Sequence, residues 1–162
     1  MQSVTETTGS FMLGKELDIL MAERARLLFP SPIPAGEHRL ALRFTGILND
    51  RLHGFYRSTY KDASGASHVI AATQFEATDA RRAFPCWDEP AGKAVFSVTL
   101  VVPAGLAAIS NTAVVSEEPA EGGRRLVRFA DSIKMSTYLV AFIVGELEAT
   151  GRVENVADKR HP

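Results

Sequence analysis

The sequence contains only one cysteine, Cys86, among its 162 residues. An intrachain disulfide is therefore impossible, and residues 1–13 lack the basic start and continuous apolar core of a secretory leader. Together these absences predict a reducing, cytoplasmic setting. Two roles stay open for the thiol, packing in a core or interface and nucleophilic catalysis. Packing is favoured because no histidine is close to Cys86 in the sequence.

The sequence also lacks an excess of charge of either sign and any long apolar run. Its 18 Lys and Arg residues nearly balance its 19 Asp and Glu residues, for a formal net charge of −1. We therefore expect neither nucleic acid nor a membrane as a partner, since the first needs a basic surface and the second a long apolar span. The length and the 46% content of apolar residues predict a single globular domain over residues 1–162.

Histidines at metal-binding spacing are a further absence. The four histidines are isolated from one another: His38, His53, His68 and His161. None has a second histidine at the spacing that places two imidazoles on one helical face, so each is expected to be a surface or strand-end residue. The sequence predicts no metal site and no general base in this chain.

What the sequence does have is a repeated alternation of apolar and other side chains with a period of two. In residues 95–102 the apolar face consists of Phe96, Val98, Leu100 and Val102. Residues 40–44, 126–129 and 138–144 are also predicted strands, and the last is apolar on both faces, which favours a central position in a sheet. Residues 117–123 predict a solvated acidic hairpin tip. Short strands separated by turns predict an all-β fold, an antiparallel β-sandwich.

Residues 73–90 combine acids, arginines, aromatics and two prolines. Pro85 and Pro90 each remove a backbone donor and favour an extended residue before them, so we expect the chain to leave a strand and form a rigid loop. The charged side chains either pair with one another or present carboxylates outward. Pairing is favoured, because most ion pairs near turns are structural. The predicted loop network consists of Asp79, Arg81, Arg82 and Asp88.

Together with residues 44–50, 54–58 and 134–142, this segment closely resembles the aminopeptidase N and puromycin-sensitive aminopeptidase family of zinc metallopeptidases. The resemblance covers about residues 11 to 150 and is to the family's saddle-like N-terminal β domain. It implies that Gln74 and Glu76 line the active-site cleft and bind the free α-amino group of a peptide. Two residues two apart on an extended segment point to one side, which suits an ammonium ligand. The other interpretation is that both are solvent-facing polar residues at a strand end.

The family's catalytic motifs are absent from this chain. The resemblance implies hydrolysis at a zinc held by His-Glu-x-x-His and a further Glu, with a Gly-x-Met-Glu-Asn segment that binds the substrate amine, and neither motif occurs in the sequence. It therefore implies that a catalytic domain carrying the zinc is the partner, covalent or complementing, and that a peptide N-terminus is the ligand. No cofactor is expected in this chain itself. The alternative function is a free-standing β-sandwich that only binds partners.

Residues 15–29 give conflicting signals. Apolar side chains fall at helical spacing among good helix formers: Leu17, Leu20, Met21, Ala25 and Leu28. The resemblance instead implies strands over 13–19 and 24–30, joined by less chain than the family usually has. Two strands with a tight connection are favoured. The chain also starts after the family's first strands, so the sandwich is expected to be incomplete at its N-terminal edge.

We predict that the isolated chain neither binds zinc tightly nor cleaves aminoacyl chromogenic substrates, since its sequence offers no multi-ligand cluster and no group that would activate water. Metal analysis of the purified protein and an amidase assay with and without chelator test this. Stoichiometric zinc, with amidase activity that disappears on chelation, would contradict the prediction.

Overall fold

A computed structural model describes residues 18–20 and 24–147 of the chain. Within them the strands are β1 Asp18–Leu20, β2 Arg24–Arg26, β3 Gly54–Lys61, β4 Ser67–Gln74, β5 Lys93–Ala94, β6 Thr99–Pro103, β7 Ala107–Ser110, β8 Val114–Ala120, β9 Arg124–Phe129, β10 Met135–Ser136 and β11 Phe142–Gly145. Two short 3-10 helices span Ala80–Arg82 and Thr137–Leu139. All of these strands pair antiparallel. The all-β antiparallel fold predicted from the alternation is confirmed.

Two larger sheets form the sandwich. One has the strand order β3-β4-β11-β7 and the other β6-β9-β8. The alternate residues of β6 and β9 form a buried cluster of Val102, Val127 and Phe129, against which Ala108 of β7 and Val144 of β11 pack. The contact between the sheets is therefore made by the apolar face that the sequence pattern predicts. Burial of such a face is the main favourable contribution to folding.

A second cluster lies beneath residues 75–90. Its buried members are Phe75, Ala80, Met135 and Val140, and partly buried aromatics such as Phe84 and Phe142 pack around it. The short ladder between β5 and β10 pairs Met135 with Ala94 and so borders this cluster. The loop that follows β4 is thus built over its own apolar core.

Strand β11 occupies the central position predicted for residues 138–144, between β4 and β7. The strand itself begins only at Phe142, because the chain first makes a 3-10 turn at Thr137–Leu139. The side chain of Asn111 explains the difference. Its amide nitrogen donates to the Leu139 carbonyl at 2.8 Å and its oxygen accepts from the Ala141 N–H at 2.8 Å, so these two backbone groups bond to a side chain instead of a neighbouring strand.

The predicted strand at residues 40–44 is wrong. Residues 40–43 adopt no regular structure, and Phe44 forms only an isolated bridge. Leu40 and Phe44 remain exposed, so none of the sheets within residues 18–20 and 24–147 covers the alternate side chains of this segment. A period of two stabilises a strand only where one face is buried against neighbours.

The acidic segment forms the predicted hairpin, but its tip is shorter than 117–123. Only residues 121–123 form the turn, where Gly122 and Gly123 have φ of 70° and 68°, a conformation that favours glycine. Glu117 and Glu118 lie in β8, where Glu117 pairs with Arg125 and Glu118 lies 3.8 Å from Arg128. These two acids therefore form cross-strand pairs as well as facing solvent.

In the N-terminal segment, β1 and β2 pair as a separate two-stranded sheet with Asp18 opposite Arg26. The described residues thus have two short strands here, as the resemblance implies. Residues 13–17 and 21–23 lie outside the described residues, as does most of the predicted incomplete edge. None of the helices within residues 24–147 is long and apolar enough to span a membrane.

Candidate functional site

Phe75 anchors the segment that follows β4. Its side chain is 2% exposed, and its ring packs edge-to-face against Phe84 at 5.7 Å and Phe142 at 6.0 Å between centroids. Such aromatic pairs contribute about 0.5–1.5 kcal/mol beyond their buried area. Two residues earlier, the Thr73 hydroxyl accepts a hydrogen bond from the Phe142 N–H at 3.1 Å. These contacts fix the chain at this point against β11.

Gln74 and Glu76 flank Phe75, and both are exposed. Gln74 is the last residue of β4, opposite Gly54, and the peptide bond between Glu76 and Ala77 is cis. Within residues 24–147 neither side chain forms a hydrogen bond or an ion pair. The amide and the carboxylate are therefore accessible to a ligand from solution. That they bind a substrate amine stays a prediction.

Asp88 is the buried acid of the loop. Its side chain is 4% exposed, and one carboxylate oxygen accepts from the Arg81 side chain (Nε) at 2.9 Å and from the Arg81 backbone N–H at 3.1 Å. A second guanidinium nitrogen of Arg81 donates to the Asp88 carbonyl oxygen at 3.1 Å. Charge-assisted bonds of this kind are stronger than neutral ones, so this pair closes the loop between Arg81 and Asp88.

Asp79 and Arg82 form a separate and more exposed pair. The Nε of Arg82 donates to the Asp79 carboxylate at 2.6 Å, three residues apart in sequence. The Arg82 side chain also lies over Gly54, where an added Cβ would come within 2.9 Å of Arg82 Cβ, and Gly54 has a φ of 70°. The structure thus brings the four predicted loop residues together as two ion pairs, and of their four side chains only that of Asp88 is buried.

Two hydroxyls that sequence reasoning missed hold the second half of the loop. Ser136 donates to the Pro90 carbonyl at 2.6 Å and Thr137 donates to the Trp87 carbonyl at 2.7 Å, and both residues are buried. The only signal in the sequence is that they are adjacent polar residues within an apolar segment. Buried hydroxyls almost always have a hydrogen-bond partner, so such a pair indicates a contact with another segment.

Cys86 is half-buried and packs against the cluster around Phe75. Burial, and then the charge of the nearby Asp88 carboxylate, raise the pKa of the Cys86 thiol to about 11 against the opposing effect of Arg81. Because the thiolate is the nucleophilic form, a thiol that stays protonated at neutral pH is a poor nucleophile. The structure supports packing as the role of Cys86.

The histidines that the structure describes, His38, His53 and His68, do not form a common cluster. The His38 ring contacts the Pro34 carbonyl at 2.7 Å, and His68 lies between two carboxylates described below. His161 is outside the described residues. Across residues 18–20 and 24–147, no group of three or more His, Cys, Asp or Glu side chains is arranged to hold a metal ion.

Residues 12–139 match the sequence family described as the peptidase M1 N-terminal domain. The chain belongs to this family. The match includes Gln74, Glu76 and the whole charged loop, and it confirms the resemblance seen in the sequence. Both the sandwich and the charged loop at residues 73–90 therefore belong to the M1 N-terminal domain.

Named relatives of this M1 N-terminal domain are aminopeptidases. Puromycin-sensitive aminopeptidase from Caenorhabditis elegans is 48% identical over 151 residues, which cover 91% of this chain and 16% of the relative. Aminopeptidase M1-D from Oryza sativa subsp. japonica is 50% identical over 131 residues, 81% of this chain and 14% of the relative. Aminopeptidase M1 from Arabidopsis thaliana is 48% identical over 134 residues, covering 83% and 14%. The chain spans only 14 to 16% of the length of these relatives.

We predict that Asp88→Ala lowers the free energy of unfolding of this M1 N-terminal domain by about 3 kcal/mol, because it removes the buried member of a partly buried ion pair together with its hydrogen bonds. Arg82→Ala, which breaks the exposed pair in the same loop, should cost less than about 1 kcal/mol. Denaturant melts of the two variants measure both values. A change within error of zero for Asp88→Ala would show that the loop does not depend on this pair.

Proposed function

We propose that this chain is the substrate-amine-binding and docking part of a zinc metalloaminopeptidase, and that it is inactive alone. The observation that carries the proposal is the exposed Glu76 carboxylate beside the buried Phe75, in a chain whose named relatives are aminopeptidases. The zinc and its ligands would belong to a catalytic domain, since the described residues offer no cluster that fits the ion.

The chemistry of the two exposed residues suits a free amino terminus. A peptide ammonium needs anionic or strongly dipolar acceptors, which Glu76 and the Gln74 amide oxygen supply. In a cleft shielded from water, a hydrogen bond to a charged group contributes roughly 1.5–3 kcal/mol. A peptide with a blocked amino terminus has no such charge and would lose this contact.

Buried contacts within the loop hold the backbone beside the two acceptor residues, Gln74 and Glu76, in a fixed position. Phe75 fixes the backbone between Gln74 and Glu76, and the Arg81–Asp88 pair closes the turn that follows. A binding group placed on a fixed backbone loses less entropy when its ligand arrives. The loop would therefore act as a rigid support for recognition.

We predict that Glu76→Ala in an assembled enzyme lowers kcat/KM for peptides with a free amino terminus by about tenfold or more, because it removes one charge-assisted contact. The same change in the isolated chain should alter the free energy of unfolding by less than about 0.5 kcal/mol, since Glu76 is exposed. Steady-state kinetics and denaturant melts give the two values.

The matched control is Glu121→Ala, which removes an exposed glutamate from the β8–β9 turn in the other sheet. It should leave kcat/KM unchanged. An unaltered kcat/KM for Glu76→Ala in a correctly folded enzyme would mean that Glu76 is only a solvated residue beyond a strand end.

The exposed apolar side chains around the loop support docking on a catalytic domain. Trp87 and Ile133 are both 81% exposed, and Leu139 is also exposed; we refer to these three residues as the apolar rim. Their backbones are held by the core beneath: Thr137 donates to the Trp87 carbonyl, Ile133 is two residues from buried Met135, and Asn111 holds the Leu139 carbonyl. An exposed tryptophan on a fixed backbone is typical of an interface anchor.

The occupant that we propose for the apolar rim is the catalytic domain of the aminopeptidase. The aminopeptidase relatives of this chain are about six times longer than the segment that matches it, so most of each relative is available to cover the rim. Docking at the rim would also bring the catalytic domain to the loop that carries Glu76. The substrate amine would then be bound between the two domains.

We predict that Trp87→Ala weakens association of the chain with a separately produced catalytic domain by tenfold or more, since an interface tryptophan commonly contributes about 2 kcal/mol or more. Calorimetric titration measures the affinity. Val115→Ala, an exposed apolar residue on β8 of the other sheet, is the control and should have no effect.

Equal affinity for Trp87→Ala and the parent chain would exclude the apolar rim as the docking surface. No association at all would favour the alternative, a free-standing interaction module, in which other partners cover these residues. Reading the coding sequence after Pro162 distinguishes an aminopeptidase part from a free-standing interaction module directly. An in-frame His-Glu-x-x-His would support the aminopeptidase. A cytoplasmic setting is part of the proposal and is supported by the single, half-buried thiol.

A further inference from the structure

His68 lies between two carboxylates that belong to different parts of the four-stranded sheet. Its Nε2 is 2.8 Å from Asp62 Oδ2, and its Nδ1 is 2.6 Å from Glu146 Oε2. Asp62 is in the turn that joins β3 to β4, and Glu146 is the first residue after β11. The imidazole thus connects the β3–β4 hairpin to the end of β11.

This geometry favours the protonated form of the His68 ring. A neutral imidazole has one N–H, whereas both nitrogens of His68 are at hydrogen-bond distance from a carboxylate oxygen. Only the imidazolium can donate to both. With a neutral ring, one nitrogen lone pair would face an anionic oxygen, and that contact would become repulsive.

The two carboxylates are held differently. Asp62 accepts hydrogen bonds from the Ser64 N–H at 2.8 Å, the Ser64 hydroxyl at 2.6 Å and the Ala66 N–H at 3.0 Å, so its position is fixed by its own turn. The Ser64 hydroxyl and then the His68 bond hold the pKa of Asp62 well below its usual range. The Glu146 side chain is more exposed, and water can replace its contact with the ring.

We propose that protonated His68 is a pH-dependent clip that binds the Glu146 side chain to the β3–β4 hairpin, and that deprotonation releases Glu146 while the bond to Asp62 remains. Tyr60 completes the clip, because its ring stacks on His68 at 5.2 Å between centroids and its hydroxyl donates to the Glu146 carbonyl at 2.8 Å. This backbone contact does not depend on the charge of His68. Deprotonation of His68 therefore frees the Glu146 side chain and changes the order of the residues next to it, while this backbone contact stays in place.

The charges around the ring give the direction of the pH effect. Among the described residues, Asp62 and Glu146 are the charged groups that act on His68, and Tyr60 is the aromatic group stacked on it. The bond to Asp62, then the charge of Glu146, raise the pKa of His68 above its ordinary value of 6.5. The stabilisation is thus complete below pH 6.5, where the unfolded chain is also protonated, and is lost as the pH rises through the folded-state pKa.

Nuclear magnetic resonance between pH 5.5 and 9 tests the clip in the full chain, because ordinary carboxylates are ionised throughout this window. We predict that the His68 ring titrates with a midpoint above 6.5 and that the backbone amides of Gly145 and Glu146 shift with the same midpoint. Glu146→Gln should lower the His68 midpoint, and His68→Gln should abolish the amide titration. His38→Gln, whose ring contacts only a carbonyl in the described residues, is the control and should preserve it.

Denaturant melts provide a second, independent measurement. His68→Gln should lower the free energy of unfolding more at pH 5.5 than at pH 9. Equal losses at the two pH values would overturn the proposal, as would a His68 midpoint that is unchanged by Glu146→Gln or an amide titration of Glu146 that persists in His68→Gln.

Discussion

The ring of Phe75 packs between Phe84 of the loop and Phe142 of β11, and this contact determines where the neighbouring polar side chains lie. In an extended segment, adjacent residues point in opposite directions. With Phe75 in the core, Gln74 and Glu76 are both on the exposed side. The position of the candidate site is therefore a consequence of apolar burial one residue away.

The loop after Phe75 has almost no regular structure, yet buried polar contacts hold it along its length. At its start the Arg81–Asp88 pair joins backbone and side chain, and near its end the hydroxyls of Ser136 and Thr137 bind carbonyls of Pro90 and Trp87. Buried polar groups without partners are costly, so each of these contacts disfavours other loop conformations. A loop held in this way can present side chains as reproducibly as a strand.

Local sequence patterns predicted the parts of the fold in which neighbours along the chain decide the structure. In residues 95–102 the predicted alternation of burial is confirmed, but the strand is shorter than predicted and spans only Thr99–Pro103. The strand predicted at residues 126–129 is confirmed within β9. The pattern failed at residues 40–44, where no sheet in the described part of the chain covers the segment, and at 138–141, where Asn111 takes the place of a neighbouring strand.

The candidate site shows the same division. The residue types of the site could be read from the sequence, but the pairing of its charged side chains could not. Two acids and two arginines within ten residues allow several combinations, and only the burial of Asp88 selects one. The partners Ser136 and Thr137 are more than forty residues from the loop carbonyls that they bind. Glu146 is still further in sequence from His68. Such contacts follow from the tertiary fold and have no local signal.

Strand β8 forms an outer edge of the three-stranded sheet, where unpaired backbone groups could recruit a strand from another molecule. Its sequence opposes this. The pairing with β9 is irregular between Val114 and Ser116, Glu117 and Glu118 place charge along the middle, and Pro119 has no N–H to donate. Backbone addition at this edge is therefore disfavoured along most of its length. Self-association into extended sheets is therefore suppressed by the sequence of the strand itself.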